Sequence, residues 1–347
     1  MGRLKMRFKD TKLDEILASN PFNSIVGTWR DTCKKIVGNR EDRFDDFILP
    51  DDVDGVNEYN DSMKDDSKKI IKHIIPQPYV GNPEAPIWLL YINPGYHDED
   101  EYGLRNASVD NHRTAERFWN QLIPYNENIE WRYLAKRQKM ILDQLDFSFE
   151  EGCENYFMHP DFYGENMLRE LLDENTFDDY KRRNKTFLNI GSKYWKKHLF
   201  GPAENGYFLS AISDNIMDVM NKNVFILEMY PYHSKNFNKV LFDKNKFRSK
   251  YLVFWKKLVN YALDSNKIII SRSVCSIINL LKEGSNAEEV ERKCIGRMLF
   301  IKNSQSAHVT TNSLVPYLPL SNIMSDNLEL YLDSICGTRD TFKNLQS

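Results

Sequence analysis

The sequence predicts an α/β protein, a three-layer sandwich with a four-stranded, mainly parallel sheet and additional helical insertions. Two observations predict this class. Four short apolar runs, 87–92, 224–229, 267–270 and 297–301, have the length and composition of strands buried on both faces. Helical patterns lie between these runs, and strands that alternate with helices form parallel sheets covered on both faces.

The chain before the first run is expected to form an N-terminal helical extension over residues 1–75. Residues 24–37 carry apolar side chains at helical spacing, whereas the acid-rich stretch 51–66 is expected to be a surface loop. In the segment 76–83, three prolines and a glycine argue against regular structure. Tyr79 is the side chain of that segment best suited to stacking on a ligand.

Residues 76–347 are expected to form the α/β domain itself. A helical insertion rich in aromatic and basic residues is predicted at about 124–203. Further helices are predicted at about 245–263 and at 274–281, each next to one of the apolar runs.

The first apolar run ends abruptly in Asn93-Pro94-Gly95-Tyr96. Pro94 cannot continue a strand ladder, and Gly95 leaves bare backbone against which a ligand can lie. An amide side chain is thereby predicted at the carboxyl end of a buried strand, where open α/β sheets bind ligands. A strand followed by a plain Pro-Gly turn gives the same pattern.

This stretch, Leu-Tyr-Ile-Asn-Pro-Gly-Tyr, resembles the first active-site motif of the uracil-DNA glycosylase superfamily. Its mismatch-specific and thymine-DNA branch is the most similar one. The resemblance implies an enzyme that flips a nucleotide out of DNA and hydrolyses the bond between base and deoxyribose. It also implies that no cofactor and no metal are needed.

The resemblance implies a role for each residue of this motif. Asn93 occupies the position that orients water. Asp98 or Asp100 is a candidate for the negative charge that an Asn does not supply, although acidic loop residues are commonly only solvated. Pro94, Gly95 and Tyr96 are implied to line the base pocket. Because strict uracil enzymes carry a Tyr where Gly95 stands, the implied pocket accepts a bulky 5-substituent.

The ends of the later runs supply the other candidates. Tyr230 and His233 follow the second run, as a base contact and a donor to base or phosphate, although a lone His in such a turn is equally often structural. Asn303, Ser304 and Gln305 follow the fourth run, where the resemblance implies a second base-binding motif. The family's Pro is missing from that motif, and Ala307 stands where a Leu wedge is usual.

The charge distribution predicts a DNA-binding face despite the net charge of −3. Residues 181–197 contain seven basic side chains and no acidic one. A solvated helix face gives the same pattern. The candidate phosphate contacts are Arg182, Arg183, Lys196 and Lys197, with Arg272 after the third run as a contact or a strand cap.

Five scattered cysteines without Cys-x-x-Cys spacing indicate neither a zinc nor an iron–sulfur site. They suit a reducing cytoplasm, and no apolar run approaches the length of a membrane span. We therefore expect a cytoplasmic protein that does not contact a membrane.

The leading hypothesis is a monofunctional DNA glycosylase for base excision of a 5-substituted or damaged pyrimidine. The resemblance extends to a phage-defence branch with antiviral activity that removes glucosylated hydroxymethylcytosine, so modified phage DNA is one candidate partner. The alternatives are a non-catalytic nucleic-acid-binding protein, favoured by the altered Asn303 motif, and a nucleotide or nucleoside hydrolase.

Overall fold

The fold is taken from a computed structural model. It describes residues 10–31, 47–72, 75–92, 174, 223–234, 249–265, 267–271, 274–295, 297–301, 309 and 314–316.

The described residues fall into two compact units. The first unit contains those up to Val80, together with Ile92 and Glu228–Trp255. The second contains Gly81–Tyr91, the described residues before Glu228 and those from Lys256 onward.

The described strands form one sheet. They are β1 (Tyr79–Gly81), β2 (Ile87–Tyr91), β3 (Val224–Glu228), β4 (Ile268–Ser271), β5 (Met298–Ile301) and β6 (Leu314–Pro316). Hydrogen-bonded neighbours follow the order β1-β3-β2-β4-β5-β6. β4 runs parallel to both β2 and β5, with Ile87 opposite Ile268 and Ile269 opposite Met298. β6 runs antiparallel to β5.

The α/β class and the four predicted strands are confirmed as β2 to β5. The predicted number of four strands is wrong, because the sheet has two further strands at its edges, and the antiparallel pairing of β6 with β5 makes the sheet mixed. Both edge strands have three residues, too few for a periodic pattern, and edge strands are often short or carry proline. β1 ends at Gly81, whose φ of 122° suits glycine, so regular structure does form between the prolines.

The helices with both ends described are α1 (Thr11–Ala18), α2 (Val53–Ser62), α3 (Tyr251–Asp264), α4 (Val274–Lys282) and α5 (Ala287–Cys294). Residues 26–31, within the stretch 24–37 predicted to be helical, are helical too. α3 and α4 confirm two predicted helices. The loop predicted at 51–66 is wrong: α2 buries Val56 and Tyr59, which lie three residues apart on one helical face, and its other residues are mostly polar. None of these described helices is long and apolar enough to cross a membrane.

Trp88 in β2 is a fully buried side chain of the second unit. Its ring lies 4.5 Å from that of Phe225 in β3 and 6.3 Å from that of Tyr261 in α3, measured between centroids. Its indole Nε1–H donates to the Ala85 carbonyl over 3.1 Å, so the polar atom is satisfied inside an apolar contact.

The first unit has an aromatic core of its own. Neighbouring ring centroids lie 5.6–6.5 Å apart among Phe22, Trp29, Phe47, Tyr79, Tyr251 and Phe254. Tyr79, the predicted stacking residue, is buried here, and its hydroxyl accepts a hydrogen bond of 2.7 Å from the Asn20 side chain. The Tyr79 ring packs in the core and its hydroxyl is hydrogen-bonded to Asn20, so both belong to the core.

We expect Trp88→Ala to lower the free energy of unfolding by about 3–5 kcal/mol, since a large buried ring is lost. Chemical denaturation measures this change. Val253 in α3 is 62% exposed, and Val253→Ala is the control. The control should stay within about 0.5 kcal/mol of the wild type. Equal effects of the two substitutions would contradict the packing described for β2.

Candidate active site

Two of the sequence-predicted site residues, Tyr230 and His233, lie within the described residues. The others lie outside them: Asn93, Pro94, Gly95, Tyr96, Asp98, Arg182, Arg183, Lys196, Lys197, Arg272, Asn303, Ser304 and Gln305. The roles given to these residues stay predictions.

The turn that follows β3 is fixed by its backbone. Three hydrogen bonds hold it, from Tyr230 N–H to the Ile92 carbonyl (2.7 Å), from Gln77 N–H to the Pro231 carbonyl (2.8 Å) and from Ile71 N–H to the His233 carbonyl (2.9 Å). The residues that follow β2 and β3 are thus hydrogen-bonded to each other at Ile92 and Tyr230. Ile71, from the predicted helical extension, and Gln77, which follows it, secure the rest of the turn.

The side chains of this turn are buried. Tyr230 is 4% exposed and His233 is 8% exposed, and Tyr232 and Ser234 are almost completely covered. The turn is therefore a packed part of the first unit, and substrate contact by Tyr230 or His233 stays a prediction.

Asp52, which sequence reasoning did not select, anchors this turn from the side of α2. Its carboxylate accepts hydrogen bonds from the Tyr232 hydroxyl (2.5 Å), the Ser249 hydroxyl and the Lys250 backbone N–H (2.8 Å). The Tyr232 oxygen in turn accepts from the Leu49 N–H over 3.2 Å. One buried carboxyl thereby ties together three segments of the first unit.

Burial determines the ionisation of this network. It raises the pKa of the Asp52 carboxyl, although the hydrogen bonds from Ser249, Tyr232 and Lys250 act in the opposite direction. Burial, and after it the negative charge of Asp52, raise the pKa of the Tyr232 hydroxyl well above its ordinary value. Tyr232 therefore stays protonated and remains a donor to the carboxyl.

Glu228 is a second buried carboxyl, and its surroundings differ from those of Asp52. It is the last residue of β3, is 7% exposed, and its Oε2 atom has no hydrogen-bond partner. Its backbone N–H donates to the Pro78 carbonyl (2.8 Å), which also accepts from the Tyr251 hydroxyl (3.1 Å). The Tyr251 hydroxyl therefore donates to a backbone carbonyl and not to Glu228.

Burial raises the pKa of the Glu228 carboxyl well above its ordinary value. Burial, with the charge of Glu228 as the second cause, also raises the pKa of Tyr251. Glu228 was missed because it was read as part of an apolar strand. The available signal was a single carboxylic acid within the run Val224–Met229.

Within the part of the chain that the structure describes, no three His, Cys, Asp or Glu side chains are grouped so that they could hold a metal ion. No protein-family model, curated protein or solved structure matches the chain.

We expect Asp52→Ala to lower the free energy of unfolding by about 2–5 kcal/mol, because three buried donors lose their acceptor. The neighbouring Asp51 is exposed, which makes Asp51→Ala the matched control, expected within about 0.5 kcal/mol of wild type. Urea denaturation of both variants measures the difference. Similar losses in the two variants would show that the network does not anchor the first unit.

Glu228 should make stability fall as pH rises. A carboxyl whose pKa is higher in the folded protein than in the unfolded chain makes its full contribution to folding stability at low pH. That contribution is lost as the pH rises from the unfolded-state pKa to the folded-state pKa. Glu228→Gln should therefore gain stability relative to wild type from about pH 4.5 upward, the ordinary value for Glu. The gain should reach at most about 1.4 kcal/mol per pH unit.

Denaturation curves from pH 4 to pH 9 measure this effect, with Glu58→Gln at an exposed position of α2 as the control for charge removal. A constant difference between wild type and Glu228→Gln across this range would mean that Glu228 ionises in the folded protein as it does in the unfolded chain.

Proposed function

We propose that the protein is a monofunctional DNA glycosylase that hydrolyses the N-glycosidic bond of a 5-substituted pyrimidine and leaves an abasic site. One observation carries most of the proposal. The 2.7 Å hydrogen bond between Tyr230 N–H and the Ile92 carbonyl joins the residues that follow two neighbouring strands, β2 and β3. Ligands of open α/β sheets bind at the carboxyl ends of such strands.

The Asn-Pro-Gly motif begins at Asn93, the residue that follows Ile92 in the chain. In the proposed reaction the Asn93 amide orients the attacking water, and Asp98 supplies negative charge that stabilises the cation-like sugar. Pro94, Gly95 and Tyr96 line the base pocket. The absence of a side chain at Gly95 leaves room for a substituent at the pyrimidine 5-position.

The remaining candidates hold the substrate in this proposal. Tyr230, Asn303, Ser304 and Gln305 contact the flipped base, and His233 donates to the base or a phosphate. The phosphate contacts are assigned to Arg182, Arg183, Lys196, Lys197 and Arg272.

The proposal includes the three-layer arrangement of the sheet and helices, a cytoplasmic location and DNA as the partner. Glucosylated hydroxymethylcytosine in phage DNA is the candidate substrate. It would give the aromatic insertion a role, because aromatic rings commonly stack on sugars. No cofactor is required for the reaction.

The test is single-turnover base release from DNA duplexes that each carry one modified pyrimidine, read as strand cleavage by alkali at the abasic site. We expect Asn93→Ala to lower release at least about 100-fold, because the group that orients water is lost. DNA affinity should change little. The control is Asn279→Ala, which removes an exposed asparagine in α4.

Activity of Asn93→Ala within a few-fold of wild type would overturn the assignment of this residue. Binding of DNA by the wild type without release of any base in the panel would favour the non-catalytic nucleic-acid-binding alternative.

A further inference from the structure

The starting point is the buried carboxyl of Glu228, which no described interaction uses. Every residue of β3 is buried, and Glu228 is the one ionisable residue in this strand. Its Oε2 atom lies away from solvent without a hydrogen-bond partner, and no cation of the described residues forms an ion pair with it.

Such a group does not favour folding above the ordinary pKa of a Glu carboxyl. Burying a carboxyl without a partner costs free energy, whereas an apolar side chain of similar size in the same place would cost none. An unsatisfied buried polar atom in a native structure therefore requires another explanation, and a catalytic role is one of them.

Burial of this carboxyl favours its protonated form. Burial is the cause that raises its pKa, and Tyr251 is the titratable side chain whose own ionisation responds to it. Because the Tyr251 hydroxyl donates to the Pro78 carbonyl, it leaves the acid without a donor. In the protonated form that burial favours, Glu228 has one O–H donor and one carbonyl acceptor, and its buried Oε2 atom has no partner.

Glu228 lies two residues before the turn on which the proposed function depends. Two residues after Glu228, Tyr230 N–H meets the carbonyl of Ile92, where the chain leaves β2. Glu228 therefore lies at the carboxyl end of β3, beside the junction on which the proposed function depends.

We propose that Glu228 is the acid that reads and protonates the departing base, and that this base is a cytosine derivative. The inference rests on the proposed glycosylase function and deepens it. A neutral carboxylic acid complements the cytosine edge, with its O–H directed to the unprotonated N3 and its carbonyl accepting from the 4-amino group. Uracil and thymine carry a hydrogen on N3, so N3 of those bases cannot accept the proton.

The reaction balances as follows. The C1′–N1 bond breaks, and its electron pair passes to the base. The Glu228 proton moves to N3, so the base departs as neutral cytosine in its N3-protonated tautomer. Water adds its oxygen to C1′, and the proton that it releases returns to the Glu228 carboxylate. The products are an abasic site and a free base, and the acid is regenerated.

The sharpest test uses two bases that differ only at the edge that Glu228 would read. These are 5-hydroxymethylcytosine and 5-hydroxymethyluracil, placed in one duplex sequence and compared with and without glucose on the hydroxymethyl group. Wild type should release the cytosine member faster. Glu228→Gln keeps the size and the hydrogen bonds but has no proton to give, so release of the cytosine member should fall about 100-fold or more.

Release of the uracil member should change only a few-fold in Glu228→Gln, and DNA affinity should be unchanged for both. Glu228→Asp, which restores an acid, should recover part of the activity. The rate of base release by wild type should fall as pH rises through the pKa of the Glu228 carboxyl. If Glu228 had only a structural role, the rate would not fall in this way as long as the protein stays folded. If Glu228→Gln does not fold, this pH profile decides.

Different failures have different meanings. No base release from any duplex by wild type overturns the proposed function and this inference with it. Release by wild type that Glu228→Gln leaves intact overturns the inference alone. Equal losses on the cytosine and uracil members overturn the assignment of base recognition to Glu228.

Discussion

The burial of two carboxyl groups around the end of β3 is the constraint on which the structure of the first unit depends. Asp52 is compensated by three donors, and through Tyr232 and Ser249 it fixes the turn after β3. Glu228 lies at the start of the same turn, buried, and its Oε2 atom has no partner. Burial raises the pKa of both carboxyl groups, and only Asp52 has hydrogen-bond donors that act in the opposite direction.

The sequence predicted the interior of the sheet better than its edges. β2 to β5 consist mostly of apolar residues, and for β2 and β3 this pattern follows directly from the burial of nearly every residue. β1 and β6 are held by pairing with a neighbour, and three residues between prolines and glycines carry no periodic signal of their own. α2 was missed because its acid-rich composition outweighed the two apolar residues that it buries.

Less of the candidate site could be predicted. The turn at Tyr230 to His233 was found because it follows an apolar run and combines aromatic, Pro and His residues. Its anchor was not found, because Asp52 and Tyr232 are 180 residues apart and only the fold brings them together. The sequence shows Glu228 as the single acid in an apolar strand, but the strand pattern does not predict that its carboxyl lacks a hydrogen-bond partner. The proposed function joins this turn to the Asn-Pro-Gly motif through one backbone hydrogen bond, at Ile92.

The proposed role of Glu228 requires that its carboxyl be protonated in the folded protein at neutral pH. An infrared difference spectrum between wild type and Glu228→Gln at about pH 7 tests it most directly, since the bands of all other carboxyl groups cancel. If Glu228 is protonated, the substitution removes the carbonyl stretching band of a protonated carboxylic acid. Loss of the symmetric and antisymmetric bands of a carboxylate instead would show that Glu228 is ionised, and would contradict its role as a neutral acid at the end of β3.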